Sequence, residues 1–177
     1  MSILRPYYPV FKFVITFGAI YTVLSLIYYV YLQQDYSGVL FPDPVTAQVA
    51  YQTQQLLILF GYDAVIANSP FDPSVLMYID EQIVYRVIEG CNAISVMVLF
   101  AAFVIAFAKA WKPTALYLLI GIAFLYIVNV ARLVILGIVY KDYPQYQDFA
   151  HDIGFPTVIY GAVILLWLYW LKKPNVS

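Results

Sequence analysis

The chain has 177 residues, of which 64% are hydrophobic and 11% charged. A soluble domain carries about 25% charged residues, so this composition excludes an ordinary water-soluble globule and makes membrane lipids the first expected partner. The formal net charge of −1 offers no electrostatic footprint for nucleic acid, and none is expected to bind.

Four apolar runs predict an all-α membrane protein, a single domain built as a polytopic bundle of four transmembrane helices. Each run approaches the ~20 residues that a hydrocarbon core of about 30 Å requires. The first covers 13–32, "FVITFGAIYTVLSLIYYVYL". It is long for the apolar part of a signal peptide, and bulky Tyr and Gln follow it where small residues would mark a cleavage site. It is therefore expected to be retained. The 18 tyrosines suit the two membrane–water interfaces.

An outer segment, 33–90, follows. "DPVTAQVAYQTQQLLILFGYD" predicts an amphipathic helix over about 44–60, started by Asp43 with Pro44 as its first residue. Its glutamines make it a poor span, so it is expected to lie at the outer surface. "NSPFDPS" is a turn-rich break. Two β-prone runs around Asp80, Glu81 and Gln82 then predict a small β-hairpin over about 75–88.

The remaining runs are span two at 92–108, span three at 113–140 and span four at 153–171. Positive charge fixes their orientation. Arg5 and Lys12 precede span one, Lys109 and Lys112 separate spans two and three, and Lys172 and Lys173 follow span four. Both termini are expected in the cytoplasm of a multi-pass inner-membrane protein.

Three unusual residues then fall at one depth on the outer side. Cys91, the single cysteine, opens span two in "VIEGCNAISVM". Arg132 lies about 28 Å along span three, near its outer end. His151, the single histidine, lies in the loop just before span four. Taken singly, each has a plain structural reading. A lone Cys in a membrane helix is usually a small apolar residue, and a lone His at an interface is usually a wet polar tip. An arginine inside a span is costlier and is by default a functional candidate.

Their chemistry is complementary. A thiol attacks a carbonyl as thiolate, and the start of a helix favours an anion. A nearby His takes the thiol proton and returns it to a leaving amine. Arg stays charged and holds an oxyanion. Asn129 and Asp152 are candidate orienting groups, and Asn92 is a candidate oxyanion donor. Glu89, a carboxylate neighbour, disfavours the thiolate, with Arg86 as a partial offset. One His and one Cys make no zinc site, so no metal and no cofactor is expected.

These residues sit in blocks that resemble the exosortase/archaeosortase family of membrane cysteine transpeptidases. "EGCNAIS" is similar to the block around the family nucleophile, "NVARLVIL" to its Asn-x-x-Arg block, and "HDIGF" to its histidine block. The small size resembles the short exosortase F subfamily in particular. The resemblance implies a thiol transpeptidase or cysteine protease, formally a hydrolase when water accepts the product, at the outer face of the cell membrane. It implies Cys91 as nucleophile with Arg132 and His151 as its partners. The implied clients are exported proteins with a C-terminal sorting signal, and a small membrane accessory protein is a further expected partner. Where the family carries Cys-Ser-Gly, this chain carries Cys91, Asn92 and Ala93. A different class stays open beside the enzyme: a non-catalytic membrane scaffold or assembly subunit, in which Arg132 pairs with a partner's acid and Cys91 only packs.

Overall fold

The structure, a computed structural model, describes residues 7–108 and 110–172. Arg5, Lys109 and Lys173, three of the charges behind the predicted orientation, lie outside the described residues. Helix α1 is Tyr8–Leu32, α2 Pro44–Leu59, α3 Ile94–Ala106 and α4 Trp111–Asp142. A last helical stretch comprises a 3-10 turn at Pro144–Tyr146, α5 at Gln147–Phe149, a π turn at Ala150–Gly154 and α6 at Phe155–Lys172. Strands β1 (Ala64–Asn68), β2 (Val75–Ile79) and β3 (Gln82–Val87) form an antiparallel sheet in the order β1-β2-β3.

Among the described residues, three helical stretches are long and apolar enough to cross a membrane: Tyr8–Leu32, Trp111–Asp142 and Pro144–Lys172. The predicted second span is corrected to a helix of 13 residues, about 20 Å long and shorter than a hydrocarbon core. It begins late because Ala93 has a positive φ of 62°, which no helix accommodates. The Asn92 side chain then accepts from the Ile94 N–H at 2.9 Å, capping the first turn.

The chain forms two compact units. The first takes Met1–Gln34, Ser95–Ala123 and Ala162–Ser177. Its helices are apolar on all sides, as lipid-facing helices are, and α1 has no buried residue among its 25. Aromatic rings join its helices: Phe13 stacks on Phe107 at 4.4 Å, Phe103 on Trp167 at 4.3 Å and Tyr117 on Trp170 at 4.7 Å. The Tyr117 hydroxyl donates to the Leu166 carbonyl at 2.7 Å, so this phenol is satisfied where no water is at hand.

The second unit, Asp35–Ile94 with Phe124–Gly161, holds the sheet. Asp43 caps α2 by accepting from the Val45 and Thr46 N–H groups, each at 3.0 Å, and Pro44 opens the helix as its spelling predicts. Thr46, Val49, Ala50, Thr53 and Leu57 recur at helical spacing and are buried. That stripe packs into one core with Met77 and Ile79 of the sheet and Leu133 and Val134 of α4. The apolar face that sequence placed on the membrane surface is therefore used inside the protein.

Gly137 makes this packing close. A side chain there would meet Leu57 at 3.3 Å and Ile79 at 3.4 Å. The β2–β3 hairpin turns through Asp80 and Glu81, both at positive φ, the geometry of a two-residue turn matched to strand twist. Strand β1 has no counterpart in the sequence reading. "AVIAN" lacks polar–apolar alternation, and it becomes a strand by pairing Ala64 through Asn68 with Ile79 through Val75.

Candidate active site

The second unit has an open cavity of about 640 Å³, and Cys91, Arg132 and His151 all line it. They arrive from three different elements. Cys91 ends a 3-10 turn, Glu89–Cys91, that follows β3 directly. Its backbone is held at both ends: its N–H donates to the Ile88 carbonyl at 2.8 Å, and its carbonyl accepts from Asn129 Nδ2 at 2.7 Å. The thiol is partly buried.

Arg132 lies one turn beyond Asn129 on α4, and residues so spaced share a face. Its Nε is buried and, among the described residues, has no hydrogen-bond partner. The same is true of Asn129 Oδ1. Most buried donors are satisfied, so this guanidinium N–H, on a residue that lines the cavity, is an exception.

His151 sits on the π turn, within the helical run rather than in the loop that sequence predicted. Such turns are rare and frequent at functional sites. Its Nδ1 is 2.8 Å from Asp152 Oδ1. With a carboxylate as acceptor Nδ1 is the donor, and in the neutral imidazole that leaves Nε2 with the lone pair. Both side chains are exposed. Among the described residues no hydrogen bond joins the thiol to His151 or to Arg132.

The other two candidates divide. Asn92 is fully buried; besides capping α3, its Nδ2 donates to Thr46 Oγ1 at 3.0 Å. It serves α2 and α3 and does not line the cavity. Glu89 is exposed on the turn ahead of the thiol.

Four other lining residues bear polar groups: Tyr85, Tyr140, Arg86 and Asp72. Tyr85 is buried, and its hydroxyl donates to the Leu133 carbonyl at 3.0 Å. Burial holds this phenol above its ordinary range; the nearby Cys91 adds to the effect and Arg132 opposes it. Tyr140 meets the Tyr85 ring edge-on at 6.2 Å. Arg132, Leu136 and Tyr140 follow at i, i+4 and i+8, so helical periodicity alone would have found Tyr140. Arg86 pairs with Asp72 at 2.6 Å on the cavity rim. The Ser69 and Ser74 hydroxyls, and then Arg86, hold the Asp72 carboxyl below its ordinary value of 3.8. That pair employs Arg86 elsewhere than against Glu89. No metal-holding group of acids, Cys and His occurs among the described residues.

Fold and cavity together define a helical membrane protein with a thiol, a guanidinium and an imidazole around one cavity. The family model described as "Transmembrane exosortase (Exosortase_EpsH)" matches residues 12–174, and the chain belongs to that family of membrane sorting transpeptidases. No curated protein and no solved structure matches it.

Proposed function

We propose that this chain is a membrane-embedded thiol transpeptidase that removes the C-terminal anchoring signal of exported proteins. Cys91 is the nucleophile. His151 Nε2 takes the thiol proton as the sulfur bonds to the scissile carbonyl carbon. Arg132 holds the oxyanion that forms. The carbon–nitrogen bond then breaks, and His151 returns the proton to the leaving amine. The resulting thioester is resolved by an acceptor nucleophile, which takes the acyl group and restores the thiol.

The observation that carries the reading is the shared cavity, with its unsatisfied Arg132 Nε. The open spacing of the three groups fits catalytic contacts that tighten when substrate fills the cavity. Positive charges at Arg5, Lys12, Lys109, Lys112, Lys172 and Lys173 support a cytoplasmic-membrane orientation with both termini inside and the cavity outside. The reading includes exported clients and a small membrane accessory protein as partners.

The orphaned Arg132 also suits the scaffold reading, in which a partner's acid fills it. Substitution separates the two. Cys91→Ala and Cys91→Ser should leave expression and insertion intact, abolish processing of a C-terminally anchored client, and prevent capture of an acyl adduct on residue 91 seen by mass spectrometry. A Cys91→Ala protein that still processes its client ends the enzyme reading.

A further inference from the structure

Strand β3 pairs with β2 on one side only. Among the described residues nothing bonds to its backbone from the other side. The cavity lies at the last residues of that strand. Tyr85 and Arg86, on opposite faces of it, both line the cavity, followed by Ile88, Gly90 and Cys91, with Asp72 of the β1–β2 connection.

We propose, resting on the function above, that a client polypeptide binds as an added strand along the outer edge of β3, which delivers its scissile bond to Cys91. Main-chain hydrogen bonds supply the affinity in such pairing, and they are indifferent to side-chain identity. The chain's direction does the positioning. β3 ends at Val87, and the turn that bears the thiol begins at Glu89, so a strand laid on β3 runs on toward the sulfur.

The opposite edge of the sheet is partly occupied. The Ala64 carbonyl of β1 accepts from Gln54 Nε2 at 3.0 Å. Asn68 Nδ2 donates to the Gly38 carbonyl at 2.8 Å, tying the 38–41 segment beside β1. The cavity there, about 620 Å³, has none of Cys91, Arg132 and His151 in its lining. An unpaired edge invites a partner strand, and of the two edges β3's is the one that leads into the turn bearing the thiol.

The test uses the purified full chain in detergent and short peptides of alternating apolar and polar residues ending in a vinyl sulfone that alkylates Cys91. Two further peptides carry N-methyl groups on alternate backbone nitrogens, one series on each parity. Methyl vinyl sulfone is the reference reagent. The plain peptide should label Cys91 faster than the reference. One N-methyl series should lose roughly tenfold or more of that rate, because strand pairing removes two or more bonds at one parity only. The other series should match the plain peptide. Amide exchange should slow on labelling at 82–88 and stay unchanged at 64–68.

Equal behaviour of the two series overturns the proposal. So does slow exchange at 82–87 in the free protein accompanied by a dimer mass, which gives the edge to a second copy of the chain. If the parity pattern holds while Cys91→Ala still processes clients, the edge stands and the transpeptidase reading fails. If methyl vinyl sulfone itself cannot reach Cys91, both fall.

Discussion

Ala93 offers a quantitative test of what a left-handed backbone costs a residue with a side chain. Ala93 is buried and adopts a φ of 62°. The left-handed region costs a residue with a Cβ roughly 1–2 kcal/mol, and glycine escapes that cost. Ala93→Gly also loses about 0.8 kcal/mol of methyl burial and about 0.4–1 kcal/mol through the freer unfolded chain. These terms nearly cancel, leaving a change within about 1 kcal/mol of zero. Ala102 is the control: it is also fully buried, but lies inside α3. There Ala→Gly gains no relief and costs about 1.5–2 kcal/mol from propensity and burial together. In thermal melts of the detergent-solubilised protein, Ala93→Gly should stay within about 3 °C of the parent, and Ala102→Gly should fall by roughly 4–8 °C. Cys91 alkylation should survive in both. An Ala93→Gly protein that melts as low as Ala102→Gly would refute the claim that relief of the left-handed backbone offsets the lost methyl.

Asn129→Leu leaves the Cys91 carbonyl without its donor, at about 1–3 kcal/mol, but also removes an unsatisfied buried oxygen of similar cost. Melting should therefore change little while client processing falls on the order of 100-fold, as expected for a displaced reacting group; undiminished processing would show that Asn129 does not position the thiol. Gly121→Ala places a Cβ 2.3 Å from Phe100 Cζ and 2.5 Å from Cε1, against a ring with no exposure. It should destabilise by about 1–3 kcal/mol, and adding Phe100→Leu should recover part of that; a single variant that melts like the parent contradicts the packing. Asp72 has a carboxyl pKa below its unfolded value of 3.8, so its contribution to stability is complete above that pH and is lost as pH falls through the folded value. Carboxyl resonances followed by pH titration should place its midpoint below 3.8, and Asp72→Asn should remove this acid-limb dependence.

Sequence carried the helices and the hairpin well where the signal was local. Asp43 followed by Pro44 marks the start of α2 because capping and a fixed φ act on neighbouring residues. The β2–β3 hairpin shows in two β-prone runs around a polar turn for the same reason. Span two was overextended because hydropathy counts apolar residues and does not register the left-handed turn at Ala93 or the cap at Asn92. β1 escaped because its pairing partner is β2, several residues downstream, and five residues of "AVIAN" carry no periodicity. At the site, Cys91, Arg132 and His151 were legible as rarities in an apolar chain. Tyr85 was not, since its role depends on the Leu133 carbonyl, a backbone group that only the tertiary fold brings to it.

Charge pairing gives the strongest ground for choosing between enzyme and scaffold. The second unit holds three Lys or Arg residues: Arg86, Arg132 and Lys141. Arg86 pairs with Asp72 at 2.6 Å, and Lys141 with Asp80 at 2.9 Å. Among the described residues Arg132 forms no ion pair, and its buried Nε–H is unsatisfied. A negative charge, from an acid of a partner or an oxyanion of a substrate, would complete it. A scaffold contact would provide it permanently, but would give no reason for a thiol and a carboxylate-bound imidazole to line the same cavity. In the proposed mechanism an oxyanion forming on a carbonyl attacked by Cys91 would provide the charge transiently, where it lowers a barrier, and the thiol and imidazole have roles in the same step.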